Sequence, residues 1–195
     1  KYNVIIIAGN PSLSPATVDR LRNWSRSGGT LIGYRGGNRW LAANGFADIS
    51  YIEAAPVVPG KERNYSGRSV DRALQSVPGT IFRTTVDITH PLCYGYTQPY
   101  LPVFKTNASA VKVSGSSWNT PVKYTSDPLL SGYCSGENIQ RIAGSAVVAV
   151  HPGAGRIISI YDDTNFRAIW YGTSKLFMNA VFFGQTLRPE GRYGY

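Results

Sequence analysis

Few side chains in this sequence are equipped for covalent or metal chemistry. There are two cysteines, Cys93 and Cys134, and two histidines, His90 and His151, well separated along 195 residues. Two cysteines are too few for a disulfide-rich scaffold and too sparse for a zinc knuckle, though they can form one bridge. A four-ligand metal site would have to gather distant residues, so no metal is expected in this domain. The other candidate is the run Gly33-Tyr34-Arg35-Gly36-Gly37-Asn38-Arg39. Its glycines permit a tight turn, and two guanidinium groups near a helix start can hold a carboxylate or another anion. The competing expectation is structural, with Arg35 paired to an acidic neighbour such as Asp162 or Asp163 at a nearby strand end.

The net charge of +9 raises the question of a polyanionic partner. Binding to nucleic acid needs clustered cations, and here the arginines are scattered, with no basic arm or tail. A mildly basic, solvated surface is the expectation, with no nucleic acid partner. No apolar run approaches the roughly 20 residues of a membrane helix, so membrane insertion is not expected. The first residues, KYNVIIIAGN, lead straight into a strand-like segment and record no export signal.

The elements that must position these residues read as one α/β domain, a size able to bury a core without staples. Asn3 to Gly9 is a β-branched run of the kind buried on both faces of a parallel sheet. Ser14 and Pro15 then open a helix, Val18, Leu21 and Trp24 recur at helical spacing, and Gly28-Gly29 ends it. A strand over Thr30 to Tyr34 completes a βαβ unit, which points to a doubly wound sheet. The Pro- and Gly-rich stretch 54–69 reads as a long surface loop. Strands are expected at Thr80 to Val86 and Val122 to Thr125, a late hairpin at Ser145 to Tyr161 turning at Pro152-Gly153-Ala154-Gly155, and an apolar helix from Asn165 to Phe183. Thr89 to Tyr96 and Ser126 to Tyr133 share the pattern hydroxyl, His or Asp, Pro, Leu, two residues, Gly, Tyr. This predicts one capped helical turn used twice, with His90 an exposed turn residue.

Four ordered segments, GGTLIGYRGGNRWL, DITHPLCYGY followed by LPVF, DPLLSGYCSGEN and GRIISIYDDTNFRAIWYGTSKLFMNAVFFG, carry a resemblance. They resemble the class I glutamine amidotransferase-like domain found C-terminal to the catalytic domain in bacterial zinc carboxypeptidases of the carboxypeptidase A-like family. The resemblance implies a three-layer, doubly wound, mostly parallel sheet, flavodoxin-like, over 1–195. It implies a non-catalytic accessory domain, structural or ligand-binding, whose partner is the peptidase domain of the same parent chain, with peptide or glycan as ligand. Zinc belongs to that absent domain, since neither His90 nor His151 has Glu three residues on. No cofactor is expected here, and the location implied is periplasmic or extracellular. The family unit begins with a further strand and helix, so the chain is expected to lack one βα unit, leaving an unpaired sheet edge.

Amidotransferases of this fold place a cysteine on a Gly-x-Cys-x-Gly turn between strand and helix. At the matching place this chain has Arg35, and a guanidinium cannot attack an acyl carbon. Gly132-Tyr133-Cys134-Ser135-Gly136 fits the pattern literally, which keeps a cysteine-dependent hydrolase using Cys134 as an alternative. The preceding SDPLLS reads as a capped turn, not a buried strand, so pairing of Cys134 with Cys93 is the favoured expectation. An anion- or glycan-binding module using Arg35 and Arg39 is the other alternative. Among thirteen tyrosines and four tryptophans, Trp24, Trp40 and Trp170 fit apolar helix faces, and Trp118 is expected to be exposed.

Overall fold

The computed structural model describes residues 2–54, 65, 76–151 and 155–187. Helix α1 (Pro15–Arg26) starts where its cap dictates, since the Ser14 side chain accepts from the Thr17 N–H and Pro15 fills the first turn. It links β1 (Val4–Ile7) to β2 (Thr30–Tyr34), and the two pair in parallel with Ile5 opposite Leu31. On the other side of β2 lies β7 (Arg156–Ile160), also parallel, with Ile158 opposite Ile32. The remaining strands are β6 (Ala146–His151), β5 (Val122–Ser131), β3 (Thr80–Val86) and β4 (Tyr100–Lys105), giving a seven-stranded sheet in the order β1-β2-β7-β6-β5-β3-β4.

Alternating residues feed two cores. Leu31 and Ile157 point to one face, where α1 and α2 (Gly37–Ala43) bury Leu21, Trp40 and Leu41 against them. Ile32 and Ile158 point to the other, where α3 (Gly136–Ile142) and α4 (Tyr171–Phe183) cover a larger core that includes Phe82, Val103, Ile142 and Leu176. The result is the expected three-layer, flavodoxin-like α/β fold.

Several local expectations need correction. The sheet is mixed, not mostly parallel, because every pairing from β7 to β4 is antiparallel. β1 has the apolar sequence of a central strand, yet among the described residues it is the sheet edge and leaves Ile6 42% exposed. Of the twin turns, Pro91–Cys93 is a 3-10 turn capped by His90, whose Nδ1 accepts from the Leu92 N–H, while Ser126 to Ser131 continues β5. Pro128 is tolerated there because β5 pairs with β6 only at Val122 and Lys123, and its later half has β3 alone as neighbour. The last helix begins at Tyr171, six residues after its predicted start, since Arg167 and Ala168 take φ values of 50° and 54° that no helix continues. β4 was hidden by Pro102, which an edge strand accommodates. The expected loop at 54–69 lies, apart from residue 54 and the exposed Tyr65, outside the described residues, as does most of the hairpin turn.

Cys93 and Cys134 are both free and buried, so the expected bridge is not formed. They lie near opposite ends of β3. Cys134 follows Tyr133, whose carbonyl accepts from Thr80 Oγ1 at the start of the strand, while Cys93 is near Pro121, whose carbonyl accepts from the Asp87 N–H just past its end. Seven strand residues span about 20 Å, against a Cα separation of about 7 Å at most for a disulfide.

Candidate functional site

The chemistry of this fold belongs at the carboxyl ends of the parallel strands, where consecutive helices leave for opposite faces and open a crevice. Here that place lies between β2, followed by α2 on one face, and β7, followed by α4 on the other. The chain leaves β2 through Arg35 at φ 51°, a left-handed conformation that is strained for any residue with a Cβ. The turn is held from several sides. Arg35 N–H donates to the Ile160 carbonyl at 2.8 Å, and Asn38 Nδ2 donates to Ile160 O at 2.8 Å and to Arg35 O at 3.1 Å. Gly37 is required because a Cβ there would run into the Ile7 carbonyl.

Around this elbow the candidate residues separate into roles. Arg35, Gly36 and Arg39 line a cavity of about 210 Å³, together with Tyr51, Lys105 and Tyr161. Gly37 and Asn38 are buried in the first turn of α2 and build the elbow without facing the cavity. Asp163 is the partner of Arg35, with its Oδ2 3.1 Å from Nη1, and its Oδ1 accepts from the Tyr34 hydroxyl at 2.8 Å. Asp162 is not paired with Arg35. It is buried beneath, where Oδ1 accepts from Lys105 Nζ and Oδ2 from Tyr124 Oη, each at 2.6 Å. Burial, reinforced by the Asp162 charge, pushes the Tyr124 hydroxyl well above the ordinary phenol range.

The two cation pairs differ in cost. Arg35 is half exposed, and such a pair contributes about 0–1 kcal/mol, so a ligand can draw the guanidinium away cheaply. Lys105 and Asp162 are 2% and 1% exposed, and separating them would strand a buried charge. Arg39 lies 4.3 Å over the Tyr51 ring and has no acidic partner among the described residues. Lys105, Tyr51, Tyr124 and Tyr161 were missed in the sequence. Only Lys105 offered a signal there, as a lone charge ending the apolar run Tyr100 to Phe104.

Cys134 has a better setting than its sequence suggested, because β5, Gly132 at φ 92° and the Ser135-capped α3 give it a strand, a turn and a helix. Its thiol, however, is raised by burial, against the opposing charges of Arg141 and Lys105. Neither histidine serves it. His90 caps the Pro91 turn, and His151 Nε2 sits 2.8 Å from Ser159 Oγ. Burial pushes the Cys93 thiol up to about 12. Among the described residues, no group of three His, Cys, Asp or Glu side chains is placed to hold a metal ion, and no helix is long and apolar enough to cross a membrane.

No protein-family model matches the chain, and no curated protein matches it either. Solved structures do. A protein described as ThuA-like from Bacteroides uniformis superposes with a TM-score of 0.50 at 13% identity, over 97% of this chain and 71% of the other. The PurLQS structure from Thermotoga maritima matches with a TM-score of 0.52 at 11% identity, over 93% and 80%. The fold is flavodoxin-like and resembles that of class I glutamine amidotransferases. At such low identity the likeness concerns architecture alone.

Proposed function

We propose that this is a non-catalytic binding domain of the amidotransferase fold, in which the catalytic elbow has become an anion site. The observation that carries this reading is Arg35 itself. The strained turn is kept, with φ 51° and its clamp of hydrogen bonds, but the side chain it presents is a guanidinium. Strain of this kind is retained where the presented side chain is used. Arg35 and Arg39 face one small cavity with Lys105 at its wall, a setting suited to a carboxylate. No cofactor is needed for that role.

The resemblance in sequence extends this reading. It makes the domain an accessory to a zinc carboxypeptidase exported to the periplasm or beyond, partnered by the peptidase domain of the same parent chain, with zinc held there. The measurement for the site itself is retention on an immobilised acidic polysaccharide at low salt. Retention should be lost on adding salt and weakened in Arg35→Ala, and a protein that passes through unretained at low salt contradicts the anion site.

The rival reading is hydrolysis through Cys134, which its strand, turn and helix setting favours. The purified protein should hydrolyse neither glutamine nor a generic ester, and turnover abolished by Cys134→Ser would establish the rival. Iodoacetamide should label neither cysteine in the native state, because both thiols are buried and proton-bound at neutral pH, and should label both in denaturant without reductant.

A further inference from the structure

The cavity beside Arg35 shares part of its wall with another. Tyr161 and Val111 line it and also line a second cavity of about 650 Å³, framed by the chain after α2 and by residues 111–115. The two are neighbours across Tyr161 and Val111, and their electrostatics differ. In and beneath the smaller one, Arg35, Arg39 and Lys105 are opposed by Asp162 and Asp163, leaving one net positive charge. That balance suits a single carboxylate better than a phosphate, which brings nearly two charges.

In the larger cavity the side-chain charges of Asp48 and Lys112 cancel. His151 adds none near neutrality, because burial depresses its proton affinity to about 4 despite the opposing influence of Asp48. What remains is an aliphatic wall that includes Val111, Val113 and Val150, the Tyr161 ring, and the hydroxyls of Ser50 and Ser114, a lining for an uncharged body with one apolar and one hydroxyl-bearing face, as a sugar ring has.

We infer that the two cavities form one elongated site for an acidic saccharide, with a uronic acid carboxylate on Arg39 and Arg35 and the adjoining neutral sugar beyond Tyr161. This rests on the anion-binding reading above and gives it a ligand class. Tyr51 and Tyr161 line the smaller cavity with the cations, and because Arg39 lies 4.3 Å over the Tyr51 ring, Tyr161 is the ring left for a sugar to pack against. A peptide C-terminus would bring a carboxylate too, and the test includes it.

The experiment is isothermal titration calorimetry at low salt with four probes: glucuronate, a disaccharide of glucuronic acid linked to glucose, the neutral disaccharide cellobiose, and N-acetyl-dialanine. The acidic disaccharide should bind about tenfold more tightly than glucuronate, and cellobiose at least about tenfold more weakly than the acidic disaccharide. Arg39→Ala, a change at an exposed side chain, should weaken both acidic sugars by about tenfold. Val113→Trp, which fills the larger cavity from a residue 44% exposed, should remove only the advantage of the second ring.

Equal affinity for glucuronate and the acidic disaccharide would overturn the elongated site while leaving the anion site standing. Tighter binding of N-acetyl-dialanine would overturn the saccharide class. No binding by any carboxylate, or binding indifferent to Arg39→Ala, would remove the anion reading together with the inference built on it.

Discussion

At the scale of single residues, the consequential choice in this domain is a buried ion pair under the elbow. Lys105 and Asp162 are almost fully enclosed, and among the described residues the Asp162 carboxylate accepts from Lys105 and the Tyr124 hydroxyl. Removing one partner of such a pair leaves an uncompensated charge, so Lys105→Met should cost roughly 3–5 kcal/mol in a urea titration. The double variant Lys105→Met with Asp162→Leu should recover a large part of that loss, because neither charge is then buried alone. His151 makes a second prediction, with a sign that can be worked out. Its proton affinity is lowered from the ordinary 6.5 to about 4 in the folded state, so below pH 6.5 the unfolded chain takes up the proton first. Stability is therefore complete above 6.5 and lost as pH falls toward 4, by about 3 kcal/mol in all. His151→Gln should flatten the pH profile of stability over that window relative to the parent. Parallel curves would show that the imidazole is not held neutral by its surroundings.

The element that decides the chemistry is the turn between β2 and α2. Arg35 holds a left-handed φ of 51° that glycine adopts without strain, and its ion pair with Asp163 is half exposed. Arg35→Gly should therefore fold at least as stably as the parent, gaining about 1 kcal/mol from relief of strain against about 0–1 kcal/mol lost with the pair, while losing retention on an acidic column. Gly37→Ala should do the reverse in stability and lower the melting temperature, because its Cβ has the Ile7 carbonyl in its way. Much of this turn was legible in the sequence. A β-branched strand, an Arg between glycines and a following amphipathic run mark an elbow, and Ser14 with Pro15 marked α1. What escaped was set by tertiary pairing. Ser126 to Ser131 reads as a capped turn, yet β3 recruits it into β5, and Pro102 disguised an edge strand. The pairing of Asp163 and not Asp162 with Arg35 could not be read from adjacent acids, since it depends on which one the end of β7 turns inward. Lys105, Tyr51 and Tyr161 join the site only because β4, the segment after α2 and β7 converge there.

Across the whole molecule, one sheet serves two cores, and this governs how the domain comes apart. Leu31 and Ile32 are adjacent in β2, both fully buried, and they feed opposite layers, as Ile157 and Ile158 do in β7. Neither layer can open without exposing the back of the strands that support the other. Leu31→Ala on the α1 face and Leu176→Ala on the α4 face should thus each cost roughly 2–5 kcal/mol, through lost burial and the cavity left behind. The sharper expectation concerns cooperativity. Trp24 and Trp40 pack in the layer of α1 and α2, whereas Trp118 is exposed and Trp170 stands at the start of α4, so in a background carrying Trp118→Phe and Trp170→Phe the fluorescence reports the first layer, while circular dichroism follows every helix and strand. In Leu176→Ala, the damage is confined to the far face, yet both signals should shift to lower urea by the same amount and remain superimposable. If the fluorescence transition stayed in place while the dichroism moved, the two layers would be separate folding units, and the elbow between β2 and β7 would have only its own layer for support. Coincident curves would mean that the whole sheet stands behind the strained turn, which is the condition for holding Arg35 at a positive φ and aimed into its cavity.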